Sequence, residues 1–595
     1  MKKVICLLLC VILCLSVVSA NDNQQKIYET TSEVYQAIRT LYIATGHALP
    51  STTGPWSGAE LSLMAAKIDP SSLSGGLKTT YDYVSSQLGL EPKKLAEGVS
   101  MKLGLEANIE GYYHTNTEAA FQGRSNMIYG MMDQKPFLSL DWETWTANSF
   151  YGFFEFDFMN QIHAASGEVG STAFSTNILF FQNLKFAMGD LNLNFPYRAF
   201  VSAGGDHWSF QLGRDRLNWG AGETGNLFVG DNLIYHNMAR FTTFSDVFKY
   251  TFVASFFPHQ MNYDGDTDND GTLNGGWNTV SGQTQIIQGL SMFMAHRVEG
   301  RLFDDKLNIT VTESIMYMSK EGNLDLMVFN PMMFYHNNYI RSMSNSLLGF
   351  EADWTIINGL NLYGQAVIDE FCLPGEWKPG VDQKAFPSAY GFLLGLKGAF
   401  NVGNGILYGS LEGVKTDPFL YLRYGEDDGG QKVGEYGINY VVAIRNYGEG
   451  GTYYDEEFLG YKYGGDALVG NFNIGYKQYG KFHIEGNFFM MAHGATDKWT
   501  CWTRVGNGDG TYPDYADLQT PTSSHPSGNH KDPTATATRN AVAYTTVIGL
   551  NGGYSFTPAL SAMVQADYIT IKNYGNIKDV NKSDIQLTFG VTYSI

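Results

Sequence analysis

Charge is scarce in this chain. Asp, Glu, Lys and Arg make up 16% of the 595 residues, whereas a soluble protein averages about 25%. The little charge present leans acidic, at a net −20, which excludes nucleic acid as a natural partner. Long apolar runs are missing too. After residue 20 none approaches the ~20 residues a helix needs to cross a bilayer, so the mature chain is either a soluble secreted protein or a β-barrel, which crosses with short alternating strands. Catalytic signatures are absent. None of the 12 histidines opens an H-E-x-x-H helix, and no G-x-S-x-G elbow or P-loop occurs. The acidic residues are scattered rather than paired, so no enzymatic activity is expected. Cysteine is rare. Cys6, Cys10 and Cys14 fall in the first 20 residues, and Cys372 and Cys501 remain, either bonded to each other or buried as two thiols.

What is present separates the two classes. Lys2 and Lys3, an apolar stretch from Val4 to Val17 and the small residues of Val18-Ser19-Ala20 read as a signal peptide over residues 1–20. Leu13 stands where a lipoprotein needs a small residue before Cys14. Aromatic residues reach 14%, and 67 residues are Gly. Few charges, aromatic girdles and glycine at bends suit a barrel wall in lipid better than a soluble surface.

Residues 21–92 read as a small helical bundle at the periplasmic end of such a barrel. Val34, Ile38, Leu41 and Tyr42 share one helical face, ended by Gly46 and Pro50. Ser57 to Glu60 forms a capping box that opens a second helix with Leu61, Met64 and Ile68 inward, stopped by Pro70. A third helix spans about 77–88, with Tyr81, Val84 and Leu88 aligned. The bundle is too small for a core of its own, so it is expected to dock in the barrel mouth as a plug.

From about residue 100 the period falls to two. Phe154, Phe156 and Phe158 alternate with Glu155 and Asp157, and Leu307, Ile309 and Val311 with Asn308, Thr310 and Thr312. The chain stops inside such a strand: Ile585, Leu587, Phe589, Val591, Tyr593 and Ile595 alternate with polar or small residues. An apolar strand left at an open edge invites aggregation, whereas a barrel pairs its last strand with its first. Residues 93–595 are therefore expected to form a mostly β fold, a large antiparallel transmembrane barrel of roughly 18 strands, within a range of about 14–20. The expected partners are outer-membrane lipid and the barrel-assembly machinery, and the expected state is a monomer in the bacterial outer membrane. Long polar loops are expected near 262–278 and 497–540.

Two motifs invite chemistry. Asp266, Asp268 and Asp270, followed by Gly271, have the spacing of a calcium loop, but Trp277 stands where the closing bidentate acid belongs. Calcium and a plain solvated turn both remain open. Otherwise no cofactor is expected. In the second motif, Arg214 and Arg216 lie two residues apart on a strand that runs into the glycine-rich stretch 220–225. Phe210 and Leu212 share their parity, so either the strand switches faces near Gly213 and turns both arginines to the lumen, or they lie beyond the lipid band. In the lumen they would bond carboxylates of neighbouring strands as a structural ladder, or contact an anion or sugar acid.

The segment G-R-x-R-x-x-W-G-x-G from Gly213 to Gly222, continuing to Asn226-Leu-Phe228 and Asp231-Asn232, resembles the Wzi-type capsule-assembly family of outer-membrane barrels. Further blocks support it: Ala295-His-Arg297-Val-Glu299, Thr312-Glu313, Phe329-Asn330-Pro331 to Tyr335-His336, Leu348-Gly-Phe350, Leu362-Tyr-Gly364, Ile368 to Phe371 and Phe458-Leu-Gly460 with Gly464 to Ala467. Pro55-Trp56-Ser57 and Glu60 also match, and together the blocks cover most of residues 30–470. The resemblance implies a lectin-like barrel that holds capsular or other extracellular polysaccharide at the surface, without catalysis or cofactor. The candidate binding residues are Arg214, Arg216, Trp219 and Glu223 in the motif, and Trp277, Trp499 and Trp502 (with Tyr512) as loop platforms for sugar rings; each of these aromatics suits girdle or loop packing equally well. A porin or selective channel, and an adhesin without a small ligand, are the competing readings.

Overall fold

The computed structural model describes residues 24–90, 93–116, 127–130, 133–147, 149–159, 178–180, 191–258, 279–280, 283–284, 290–319, 324, 328, 330, 334–335, 344–370, 389–422, 425–426, 432–433, 439–448, 451–495, 523 and 540–595. The signal peptide, Asp266, Asp268, Asp270, Trp277, Cys372, Trp499, Cys501, Trp502 and Tyr512 lie outside the described residues.

Three helices come first: α1 (Glu33–Thr45), α2 (Gly58–Ala66) and α3 (Gly75–Leu88). Eighteen strands close into one antiparallel barrel. They are β1 (Val99–His114), β2 (Leu138–Thr146), β3 (Phe150–Phe158), β4 (Ala199–Gly205), β5 (Trp208–Asp215), β6 (His236–Phe244), β7 (Phe248–Phe257), β8 (Leu290–Leu302), β9 (Leu307–Ser319), β10 (Ser344–Ile357), β11 (Leu360–Glu370), β12 (Ala389–Val402), β13 (Gly405–Thr416), β14 (Ala467–Gln478), β15 (Phe482–His493), β16 (Ala543–Thr557), β17 (Leu560–Lys572) and β18 (Lys582–Ser594). The short strands Lys93–Ala96 and Ile178–Phe180 add pairings to β1. Every second connection, from β2–β3 to β16–β17, is a tight turn. These turns define a short-turn end, and the long loops leave from the other.

Alternation explains the wall. On β18, Ile585, Leu587, Phe589, Val591 and Tyr593 are exposed outward, while Asp584, Gln586 and Thr588 are buried inward. The seam is a full ladder, from Gln586 opposite His114 to Ser594 opposite Glu106. It extends one residue further, since Ile595 N donates to Leu105 O at 2.9 Å. Inside, large rings lie across strand glycines: a Cβ on Gly395 would meet the Tyr363 ring at 2.2 Å, and one on Gly475 would meet Tyr408 at 2.6 Å.

One sector of the outer wall is covered. Phe252, Ala254, Met292, Met294 and Ile315 point outward on β7–β9, yet they are buried and cluster with Val328 and Tyr335 of the β9–β10 connection. Beside them His296 and Glu313 pair at 3.0 Å, with the Tyr335 ring 5.0 Å from that of His296. Val328 and Tyr335 thus cover the wall there.

The helices pack at the short-turn end. Gly46 closes α1 in the left-handed region (φ 94), its N–H bonding back to Tyr42 O and Ile43 O. Ile43 O also accepts from Gly359 N in the β10–β11 turn at 2.7 Å, and Gly76 N donates to Gly403 O in the β12–β13 turn at 3.0 Å. The capping box of α2 is half formed. Ser57 accepts from Glu60 N at 3.2 Å, but the buried Glu60 carboxylate takes Lys249 on β7 instead of the helix start.

Candidate functional site

The lumen is filled from both ends, and the glycine-rich motif is where the two fillings meet. From the short-turn end, Thr53–Gly54 pairs with Asn218–Trp219 as a two-residue antiparallel ladder. From the long-loop end, the connection from Arg216 to Tyr235 descends to that ladder. It carries Leu227, Phe228 and Val229 into a core with Leu420, Tyr421, Leu459 and Tyr461 of the β13–β14 connection. Trp219 is fully buried there, its ring stacked with Phe228 at 6.5 Å. Trp219, a candidate binding residue, thus lies in the packed centre.

The polar groups around the motif's glycines bond within the protein. Asn226 Oδ1 accepts from Gly222 N at 2.8 Å and from Gln365 Nε2 at 2.7 Å, and Leu227 N donates to Gln365 Oε1 at 2.9 Å. Gly220 must be glycine (φ 132), because a Cβ would collide with the Gln365 amide. Glu223 N and Thr224 N donate to the two oxygens of Glu412, at 2.8 and 2.9 Å. This backbone cradle suits an anion, and the protein's own carboxylate occupies it.

The arginines take a different arrangement from the one expected. The face switch at Gly213 does not occur. Register runs unbroken along β5, from Trp208 opposite Thr243 to Asp215 opposite His236. Outward parity therefore passes from Phe210 and Leu212 to Arg214, while Gln211 and Asp215 are buried in the lumen. Arg214 donates to Asn237 Oδ1 and Pro196 O, both at 3.0 Å, and its guanidinium lies 3.8 Å over the Tyr235 ring. Arg216 follows the strand's end and donates to Ile234 O at 3.3 Å. Among the described residues, neither forms the expected bidentate carboxylate pair. Asp215 between them carries the ion pair instead, with Arg198 at 2.7 Å, and accepts a hydrogen bond from Gln211 Nε2 at 2.7 Å.

Other lumenal charges, missed in the sequence, anchor the N-terminal segment. Arg297 is fully buried; its Nη2 meets Glu351 at 3.0 Å and Thr52 Oγ1 at 3.2 Å. Arg240 donates to Pro55 O at 2.8 Å and Gln211 Oε1 at 3.1 Å. Arg301 bonds Ala48 O at 2.7 Å. In a barrel wall, a charged side chain at lumenal parity is the signal that would have found them.

Glu223 lies at the edge of a polar chamber. Its carboxylate pairs with Lys397 and stands 3.8 Å from Arg39. Burial pushes the Glu223 carboxyl up, but the Lys397 and Arg39 charges outweigh it and hold it below the usual carboxylate range. Among the described residues, no group of three or more His, Cys, Asp or Glu side chains is placed to hold a metal ion.

A closed antiparallel barrel with an apolar outer face and a polar, occupied lumen is an outer-membrane β-barrel protein. The chain matches no family model and no curated protein. Among solved structures it is similar to Wzi of Escherichia coli, described as a carbohydrate-binding β-barrel involved in group 1 capsule assembly. That likeness has 11% identity and a TM-score of 0.52, covering 95% of this chain and 98% of the other. Pseudomonas aeruginosa OprD follows at 9% identity and a TM-score of 0.36, covering 85% and 97%. The DcaP channel of Acinetobacter baumannii gives 10% and 0.32, covering 85% and 100%. At such identities the likeness to Wzi is one of fold.

Proposed function

We propose that this protein is a lectin-like outer-membrane barrel that attaches or assembles capsular or other extracellular polysaccharide at the cell surface. One observation supports this over a channel: strand pairing between Thr53–Gly54 and Asn218–Trp219 joins the two fillings in mid-lumen. A large barrel conducts only if its lumen is left open. With the centre occupied, function falls to the long-loop end, where glycan would be held by aromatic faces and hydrogen-bonding side chains. The short-turn end, carrying the helices, then faces the periplasm. The fold likeness to a carbohydrate-binding barrel agrees with this reading, which requires no catalytic group or cofactor.

The test is a deletion strain in which cell-bound and shed polysaccharide are measured separately. Retention predicts intact synthesis with polysaccharide lost to the medium. Unchanged cell-bound polysaccharide would refute it.

A further inference from the structure

The chamber beside Glu223 lies between the plug and the wall. It encloses about 210 Å³ between α1 and strands β12–β15. Helix α1 contributes Gln36, Arg39 and Thr40; the wall contributes Lys397, Tyr408, Ser410, Asn473 and Lys477; Tyr479 and Glu485 complete it. Its volume lies below the roughly 300 Å³ at which drug-sized ligand sites begin, so it suits one ring rather than a chain.

We propose that this chamber binds a single small, uncharged, hydroxyl-rich molecule of about one sugar ring, entering from the short-turn end. Charge balance selects the class. Arg39, Lys397 and Lys477 are matched by Glu223 and Glu485 on the lining and by Glu33, which pairs with Lys477 at 2.9 Å. An ion of either sign would upset that balance; a neutral polyol would not.

Hydrogen-bonding capacity points the same way. Asn473 is 5% exposed and Ser410 6%, yet Asn473 Oδ1 and Ser410 Oγ have no partner among the described residues. Buried amides and hydroxyls are rarely left so. The Arg39 side chain remains 28% exposed, with Glu223 at 3.8 Å as its ion-pair partner, so its donors are available to a guest. Donors and acceptors thus stand together, as a polyol requires. Tyr479 closes one side, fixed by bonds to Thr40 Oγ1 at 2.6 Å and Gln36 O at 3.0 Å, with its ring stacked on Tyr83 at 5.9 Å and under Lys477 Nζ at 4.6 Å. An adjoining cleft of about 250 Å³ shares Lys477 and is lined by Lys481, Tyr554, Ser561 and Thr592 at the short-turn end. This is the route of entry, opposite the long loops.

Calorimetric titration of the folded full-length protein in detergent, with a panel of neutral hexoses, pentoses and glycerol, tests the proposal. Saturable binding of at least one sugar is expected, weakened at least tenfold in both Arg39→Gln and the near-isosteric Asn473→Asp. Heat-modifiable migration on gels verifies that each variant is folded, and if one is not, the other decides. No saturable binding across the panel, leaving water as the chamber's only occupant, overturns the proposal. So does sugar binding that a folded variant retains in full, or heat from sodium phosphate with none from the sugars. Arg39→Gln cells should still hold their surface polysaccharide, so failure here is distinguishable from failure of the retention reading.

Discussion

The indole N–H of Trp219 donates to the carbonyl oxygen of Gly54 at 3.2 Å. Trp219 comes from a long loop and Gly54 from the segment between α1 and α2, so this bond ties together chain that enters the lumen from opposite ends. Replacing Trp219 by Ala should cost about 3–5 kcal/mol, the usual range for deleting a buried aromatic. The cost should fall on the plug, because the wall's ladders do not involve this residue. The expected result is a barrel that still shows heat-modifiable migration while planar-bilayer recordings change from silent to conducting. A variant as silent as the wild type would argue against a central tie.

Asp215 and Arg214 are neighbours with opposite duties. The Asp215→Ala change takes away the 2.7 Å partner of the buried Arg198 guanidinium, leaving Glu29 at 3.8 Å, and should cost about 3 kcal/mol, toward the low end for breaking buried pairs. Arg214→Ala removes an outward contact at the wall's edge and should cost about 1 kcal/mol or less. Urea unfolding of the two variants, side by side, measures the contrast; equal losses would contradict the assignment.

Acid should loosen the plug before the barrel. Burial pushes the Glu33 carboxyl up, but the Lys477 charge and bonds from Lys477 and Tyr83 outweigh it and hold it low. In the β8–β9 turn, burial acts on Asp305 in the same way, and Arg301 and Lys67 outweigh it. A depressed carboxylate stabilises the fold above its unfolded value, near pH 4, and that contribution is lost as pH falls through the folded value. Glu60 acts oppositely: burial raises it despite Lys249, so protonating it relieves a cost. With Glu223 also depressed, the net direction is loss of docking below about pH 4. Protection factors across residues 33–45, taken against the intrinsic exchange rate at each pH, should fall there while β18 stays protected, and Glu33→Gln should lower them toward their acid values at neutral pH.

Removing residues 585–595 takes away both the outward apolar face of β18 and its ladder to β1. An open edge in lipid leaves backbone groups unpaired at several kcal/mol each. Outer-membrane fractions should contain no heat-modifiable species of the truncated chain.

The barrel was legible because lipid and lumen impose a period of two, as Phe154 to Phe158 and the last eleven residues display. The helices were legible from Val34, Ile38 and Leu41. The ends of the candidate motif were harder. Spacing alone placed Arg214 and Arg216 on one face, but two opposing outcomes share that spacing, and only unbroken register with β6 selects between them. Glu60 read as a cap because Ser57 precedes it by three residues; a lysine on β7, far away in sequence, captures its carboxylate. The role of Arg297 depends on Glu351 and Thr52, and no local pattern connects those three. Partners that meet only inside a closed cylinder leave no periodic trace.

The seam and the plug lie on different parts of the circle. Residues 24–66 bond to strands and turns from β2 round to β14, through Glu143, Arg240, Lys249, Arg297, Asp353 and Tyr479. The joint between β18 and β1 bears none of those anchors. A sheet still open at that joint can therefore already carry its filling, like a sleeve wrapped around an arm rather than pulled over it. Nothing has to be threaded through a finished ring, and the final zip of the two edge strands captures a cargo that is already in place.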